Sequence, residues 1–225
     1  MASHLDLEEQ EQLDQLKHFW KQYGNAITWL LILVLGGFAG WNAYQYWQRN
    51  QAEQASAMYD EVARIARTAD ADKALRAFGD MRERFASTAY APQAGLMVAK
   101  MLAENGKLDD ARATLAWVAE KSSDAGYAAV ARLRLAAIQL EAKAYDDALK
   151  TLDGVSAAEF AGLAADRRGD ILLAQGKKAE ARSQFEKAYA ALDERLEYRQ
   201  LIEVKLNALG GDVAALASAK TEANK

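Results

Sequence analysis

The sequence contains no cysteine, and its only histidines are His4 and His18, close to the N-terminus. Without cysteine, a disulfide framework and thiolate chemistry are excluded. Without histidine after residue 18, the larger part of the chain cannot build a His/Cys zinc site or a histidine-based catalytic triad. Proline occurs once, runs of β-branched residues are missing after residue 47, and alanine is abundant. This composition predicts an all-α protein.

Charge is also missing from one long segment, since no charged residue lies between Lys21 and Arg49. A helix that rises about 1.5 Å per residue needs roughly 20 apolar residues to cross a bilayer core of about 30 Å, and this segment is long enough. We therefore predict a transmembrane anchor at residues 25–47, between a leader at residues 1–24 and a helical domain at residues 48–222. The alternative is the core helix of a globular domain. Aromatic residues cluster at both ends of the segment, as is typical of membrane helices: Trp20, Tyr23, Trp29, Trp41, Tyr44, Tyr46 and Trp47.

The leader is acidic, whereas a cleaved signal peptide begins with a basic region and ends at a small-residue cleavage site. No A-x-A pattern follows the apolar segment, so we predict an uncleaved anchor. Basic residues flank both sides of the segment, and the positive-inside rule therefore favours a cytoplasmic N-terminus only slightly. The basic residues nearest the anchor are Lys17 and Lys21 before it and Arg49, Arg64 and Arg67 after it.

The net charge of the chain is −4, which argues against nucleic acid as a partner, because nucleic-acid binding needs a dense basic surface. Two carboxylate pairs, Asp109–Asp110 and Asp146–Asp147, are the only candidates for acid–base chemistry that the domain suggests. Neighbours in sequence do not face each other on a helix, so we interpret both pairs as helix starts. We expect no catalytic, metal-binding or cofactor-binding residues and therefore no enzyme.

Three segments after the anchor can be aligned on one another. The small residues Ala111, Ala148 and Ala181 recur at spacings of 37 and 33 residues. A degenerate earlier copy is indicated by Ala74 and Phe78, with a leading helix at about residues 52–67 that continues from the anchor. Four residues after the aligned alanines come Leu115, Leu152 and Phe185. Five residues before them are Gly106, Lys143 and Gly176, at the turn between two helices. Twelve residues before them are the small residues Ala99, Ala136 and Gly169.

A helix–turn–helix unit of about 34 residues with small residues at these places resembles the tetratricopeptide repeat (TPR). The predicted fold is therefore all-α, with a single N-terminal transmembrane helix followed by a TPR-like α-solenoid, whose stacked units leave a concave inner face. Mixed polar and apolar residues on that face suit an extended peptide or a partner helix. Alternatively, some of them are ordinary core or solvated residues. The predicted groove residues are Tyr59, Arg67, Lys100, Glu104, Leu133, Leu140, Asp166 and Asp170.

Two glycines inside the anchor, Gly36 and Gly40, are spaced by one helical turn. Small residues at this spacing allow another membrane helix to approach closely. We predict a transmembrane helix contact at this pair, although glycine is common in membrane helices in general.

Several strings, taken in their order and spacing, resemble the YfgM-type family of ancillary subunits of the bacterial SecYEG translocon. The resemblance extends from about residue 10 to about residue 210. The strings are Leu16-Lys-His-Phe-Trp20, Tyr23-Gly24-Asn25, Gly40-Trp41, Leu133-Arg-Leu-Ala-Ala-Ile-Gln-Leu140, Asp147-Ala-Leu-Lys-Thr-Leu-Asp153, Asp166-Arg-Arg-Gly-Asp170, Gly176-Lys-Lys-Ala-Glu-Ala-Arg182 and Val204-Lys-Leu-Asn-Ala208.

The resemblance implies a single-pass protein of the bacterial inner membrane, with its N-terminus in the cytoplasm and its TPR-like domain in the periplasm. The partners it implies are the SecYEG translocon, a PpiD-type periplasmic chaperone and exported polypeptides, in addition to the membrane lipid around the anchor. It implies a non-catalytic adaptor that assists the handover of exported proteins to periplasmic chaperones, without a cofactor.

A second interpretation starts from the leader, in which Leu13, Leu16, Trp20 and Tyr23 have the spacing of an amphipathic helix. Such a helix suits a membrane-anchored scaffold or regulator of an envelope stress signalling system, which would bind its partner in the cytoplasm.

Overall fold

The computed structural model describes residues 7–68, 70–193 and 195–211. Residues 1–6 of the predicted leader and residues 212–222 of the predicted domain therefore lie outside the described residues. The described residues form α-helices and a short 3-10 helix at Ala158–Phe160, without a β-strand, which confirms the all-α class. The α-helices are α1 (Leu7–Arg67), α2 (Ala71–Phe85), α3 (Tyr90–Glu104), α4 (Leu108–Lys121), α5 (Ala125–Glu141), α6 (Tyr145–Asp153), α7 (Ala161–Ala174), α8 (Lys178–Ala191) and α9 (Tyr198–Ala208).

The chain divides into two compact units, Met1–Gln51 and Ala52–Lys225. Helix α1 runs through this division without a break. Because one continuous helix contains the end of the leader, the anchor and the start of the helical domain, the structure does not define the boundaries at residues 24 and 47, and both stay predictions.

In the first unit, the apolar part of α1 is exposed to its surroundings. The most apolar 18-residue window of this helix has a mean hydropathy of 1.6 and none of it is buried. Large side chains such as Trp29, Leu33 and Phe38 are two-thirds or more exposed. Among the described residues, α1 is the one helix whose length and composition suffice to cross a membrane. A core helix of a globular domain would be mostly buried, so this exposure favours the anchor.

In the second unit, successive helices pack against each other in the order of the chain, from α2 to α9. The aligned alanines Ala111, Ala148 and Ala181 are fully buried near the starts of α4, α6 and α8. Ala74 and Phe78 are fully buried in α2, as the prediction of a degenerate first copy requires. The larger partners one turn after the alanines are also buried: Leu115, Leu152 and Phe185.

The turn inside each of the three aligned repeats has the same left-handed backbone. Its central residues are Gly106, Lys143 and Gly176, with φ angles of 75°, 59° and 79°. At the first turn, the backbone N–H of Lys107 donates to the carbonyl of Leu102 at 2.9 Å, the bond that closes a Schellman motif. Glycine adopts this backbone freely, whereas lysine is strained there by roughly 1–2 kcal/mol.

Small residues twelve positions before the aligned alanines lie where two helices approach closely. Ala99 and Ala136 are buried, and a Cβ atom built on Gly169 would come within 3.0 Å of the Phe185 ring. A side chain at Gly169 would therefore push α7 away from α8. This contact explains why the repeat formed by α7 and α8 has glycine at this position, where the repeats of α3 and α5 have alanine.

The paired acids lie where the sequence predicted them. Asp109–Asp110 are in the first turn of α4, and Asp146–Asp147 are in the first turn of α6. Negative charge there interacts favourably with the positive end of the helix dipole. Both pairs therefore have a structural role at the turn of a repeat.

The core continues from α1 to α9. One hydrophobic cluster joins the α1 segment after residue 52 to helices α2, α3, α4 and α5, and further clusters follow along α5 to α9. Helix α9 is the last described helix of the series, and its Ile202 and Leu206 are fully buried against α7 and α8 residues such as Ala165 and Phe185.

Candidate functional site

A groove lies between α3 and α5, the first helices of two successive repeats. Its volume is about 390 Å³. The base is formed by small and aliphatic side chains, and charged side chains stand at the edge. The groove is lined by Ala99, Lys100, Ala103, Glu104, Leu115, Arg134, Ala137 and Ile138.

The repeat positions explain the base of this groove. Ala99 is the small residue that the repeat requires in α3, and Ala103 follows it by one turn on the same face. Ala137 comes directly after the equivalent small residue, Ala136, in α5. Because these positions carry only methyl groups, they leave room between the two helices for an inserted side chain.

The edge of the groove is charged but weakly paired. Lys100 and Glu104 are both about two-thirds exposed, and their charged groups are 3.7 Å apart. Exposed pairs of this kind contribute at most about 1 kcal/mol, so a partner can replace them. Arg134 is held more firmly, since its Nη1 donates to the carbonyl of Leu96 at 3.0 Å. The groove therefore offers an apolar base between exchangeable charges.

The predicted groove residues at the N-terminal end of the second unit lie apart from this groove. Tyr59 is half-buried, and the centroid of its ring is 5.9 Å from the centroid of the Tyr90 ring. Tyr59 therefore packs against the hydrophobic cluster of helices α1 to α5. Arg67 is exposed in the last turn of α1. Of these four predicted residues, Lys100 and Glu104 line the groove, whereas Tyr59 and Arg67 do not.

Leu133 and Leu140 lie on α5 and are half-buried. Both pack against a small cluster that contains Leu152 and Ile171. Leu133 precedes Arg134, which does line the groove, and Leu140 lies two residues beyond Ile138. Neither leucine lines the groove, since both pack against side chains of α6 and α7.

Asp166 and Asp170, on α7, are covered by α9. Lys205 donates to both carboxylates at 2.7 Å, and the Tyr198 hydroxyl donates to Asp166 at 2.5 Å. Asp166 is 1% exposed. These two aspartates hold the last described helix of the chain in place, so this end of the inner face is occupied.

Burial changes the acidity of this cluster. It raises the pKa of Asp170 above 3.8, and the nearby Asp166 adds to that effect, while the hydrogen bond from Lys205 opposes it. Burial also raises the pKa of the Tyr198 hydroxyl, and its hydrogen bond to Asp166 acts in the same direction. Tyr198 therefore stays a hydrogen-bond donor at neutral pH.

Sequence reasoning missed part of the groove and the α9 contact. Ala103, Ala137 and Ile138 carried a usable signal, since they lie within one turn of the small residues of the repeat. Lys205 carried none, because it is 39 residues from Asp166 and lies outside the aligned repeat segments.

In the first unit, Gly36 and Gly40 are exposed, and a Cβ atom built on either would have no atom within 4 Å. The face of α1 that carries them is therefore open to another helix. Among the residues that the structure describes, no group of three or more His, Cys, Asp or Glu side chains is placed to hold a metal ion.

Comparison with known proteins identifies the family. The sequence profile of the tetratricopeptide repeat-like domain matches residues 17–211. A protein of Neisseria gonorrhoeae named ancillary SecYEG translocon subunit is 32% identical over 210 residues, which cover 93% of this chain and all of that protein. This chain belongs to the same family. A family member of Haemophilus influenzae with the same name is 36% identical over 208 residues, or 90% of this chain and 98% of its own length.

A solved structure supports the family's fold independently. The MamA protein of Desulfovibrio magneticus RS-1, from residue 41 to its end, superimposes with a TM-score of 0.50 at 18% identity. The match covers 76% of this chain and 96% of that chain. At this identity the likeness concerns the fold alone, and it confirms the solenoid of helical pairs.

Proposed function

We propose that this chain is a non-catalytic, membrane-anchored adaptor at the SecYEG translocon, which assists the handover of exported polypeptides to a PpiD-type periplasmic chaperone. The names of its relatives support the translocon as the place of action. In this proposal the N-terminus is cytoplasmic, α1 crosses the inner membrane, and the repeat unit is periplasmic. Lys17 and Lys21 both lie close to the N-terminal side of the anchor, whereas Arg49 alone lies as close on the other side, and this difference slightly favours the orientation.

The observation that carries the binding role is the groove between α3 and α5. An apolar base of alanines with Leu115 and Ile138 accepts one or two aliphatic side chains of an extended segment. The exposed charges of Lys100, Glu104 and Arg134 pair with polar groups beside them. Because the helices that form the groove are packed into a continuous core, binding requires little ordering of the adaptor.

Site-specific photocrosslinking in membrane vesicles tests the groove. A photoreactive residue is placed at Ala103 or Ala137 in the base of the groove, and at Ala116, an exposed alanine of α4, as a matched control. We expect adducts with a stalled exported polypeptide or a PpiD-type chaperone from the two groove positions only. Equal adducts from Ala116, or adducts only with bulk membrane proteins, would contradict the proposal.

The helix contact at Gly36 and Gly40 is part of the same proposal, because both glycines face open space on α1. Isoleucine at both positions would keep another helix at a distance. We expect the double variant to recover less translocon than the wild type during purification in mild detergent. Isoleucine at Ala26 and Ala43 serves as the control for added bulk, and unchanged recovery by the glycine variant would exclude the contact.

A second candidate function rests on the leader. Leu16, Trp20 and Tyr23 are about half exposed or more, and a cavity of about 530 Å³ is lined by Leu16, Lys17, Trp20 and Lys21. This surface suits a cytoplasmic partner of a membrane-anchored regulator of envelope stress signalling. Serine at both Leu16 and Trp20 separates the two functions, because an export adaptor keeps its crosslinks without this apolar surface and a leader-dependent regulator loses its signalling.

A further inference from the structure

Three polar residues form a column on one face of α1, near the C-terminal end of its apolar part. Asn42, Gln45 and Arg49 follow each other at spacings of three and four residues, so they lie on the same side of the helix. The aromatic rings of Trp41 and Tyr46 flank them. With Phe38, these residues line a cavity of about 570 Å³. We call the site formed by these six residues the donor column.

The donor column has hydrogen-bond donors and one positive charge, that of Arg49. Arg49 makes no ion pair with any residue that the structure describes, and its side chain is exposed. Gln45 adds an amide group, and the Asn42 amide nitrogen is held by a hydrogen bond of 2.9 Å to the carbonyl of Phe38. None of the lining residues carries a carboxylate. The site therefore favours an anion.

The surroundings identify the kind of anion. Phe38 and Trp41 connect the donor column to the apolar part of α1, so a ligand with both an anionic group and a hydrocarbon chain contacts both. Arginine near the end of a membrane helix extends toward the headgroup layer, and its planar guanidinium binds phosphate with paired hydrogen bonds. Trp and Tyr are enriched at the same depth.

We propose that the donor column binds the phosphate of an anionic phospholipid, with Arg49 as the charge partner and Gln45 as a second donor. The site lies apart from Gly36 and Gly40, whose face of the helix stays free for another membrane helix. The proposal requires α1 to enter the membrane, and it concerns a lipid ligand in addition to the adaptor function.

Native mass spectrometry of the purified full-length chain tests this site. The chain is titrated in mild detergent with phosphatidylglycerol, and with phosphatidylcholine as the zwitterionic comparison. We expect Arg49→Gln to lower retention of phosphatidylglycerol about fivefold, the effect of one basic residue near an anionic surface. Arg76→Gln, which removes an exposed arginine from α2, changes the charge equally and should leave retention unchanged.

A second pair of variants tests the face of the helix. Gln45→Leu removes a donor from the column, whereas Gln48→Leu removes the same side chain from a position that does not line the cavity. We expect weaker retention for Gln45→Leu only. Equal loss from Arg49→Gln and Arg76→Gln, or from the two glutamine variants, would overturn the proposal, as would equal retention of both lipids. Carbonate washing of vesicles should leave all variants in the membrane, which separates loss of the lipid site from loss of the anchor.

Discussion

The groove between α3 and α5 is open, whereas the corresponding surface of α7 is covered. Lys100 and Asp170 occupy the same repeat position, directly after the small residues Ala99 and Gly169. Lys100 is 67% exposed beside a loosely paired Glu104, whereas Asp170 is 23% exposed and binds Lys205 at 2.7 Å. The repeat position therefore determines the helix face on which a residue lies. The neighbouring helix determines whether that residue is exposed to solvent or buried.

The largest expected effect is at the covered surface. Lys205→Met removes the cation from the nearly buried Asp166 and from Asp170 while keeping the length of the side chain. Breaking a buried pair leaves an uncompensated charge, so we expect a loss of about 3 kcal/mol in the free energy of unfolding. Urea unfolding of the wild type and the variant measures this loss of free energy. Lys187→Met, at an exposed position of α8, is the control, and equal midpoints for the two variants would show that the α9 contact contributes nothing.

The open groove should respond in binding rather than in stability. Ala137→Trp fills the space between α3 and α5, and we expect capture of an exported polypeptide or chaperone to fall by about tenfold or more, the value of one excluded apolar side chain. Crosslinking yield measures this capture. Ala116→Trp adds the same ring at an exposed position of α4 and should bind normally. A normal yield from Ala137→Trp would place the binding surface elsewhere.

A smaller effect is expected at the repeat turns. Lys143 has a φ angle of 59° at the position where the other two repeats have glycine. Lys143→Gly should stabilise the protein by about 0.5 kcal/mol, because relief of the left-handed strain exceeds the entropy that glycine gains in the unfolded chain. Thermal unfolding measures this change. The reverse substitution, Gly106→Lys, should destabilise the protein by about 1 kcal/mol, and a destabilising Lys143→Gly would contradict the explanation.

The smallest effect concerns pH. The pKa of Asp170 is raised above 3.8 in the folded state, mainly by burial, so the folded protein binds its proton more tightly than the unfolded chain does. The stability from this group is therefore present at low pH and is lost as the pH rises through the raised pKa. Unfolding measured from about pH 4 upward should show a shallower decline for Asp170→Asn than for the wild type. Parallel curves would mean that another group titrates.

Local features of the repeat could be predicted because each depends on residues a few positions apart. Ala111 and Leu115 share a helix face, and Gly106 ends α3 with a left-handed turn. The contacts between different repeats could not be predicted in this way. The hydrogen bond from Arg134 to Leu96 spans 38 residues, and that from Lys205 to Asp166 spans 39. Such contacts depend on how one repeat stacks on the next.

The sequence by itself determined that an uncharged helix precedes a series of helical pairs, because hydropathy, helix periodicity and turn geometry act over one or two turns of chain. Only the tertiary structure decided which part of the inner face is available. Whether Lys100 or Asp170 is exposed depends on the helix packed beside it, and burial is a property of that packing rather than of the residue. For this reason the open groove contains fewer residues than the pattern of the repeats predicted, and α9 accounts for the covering of Asp166 and Asp170.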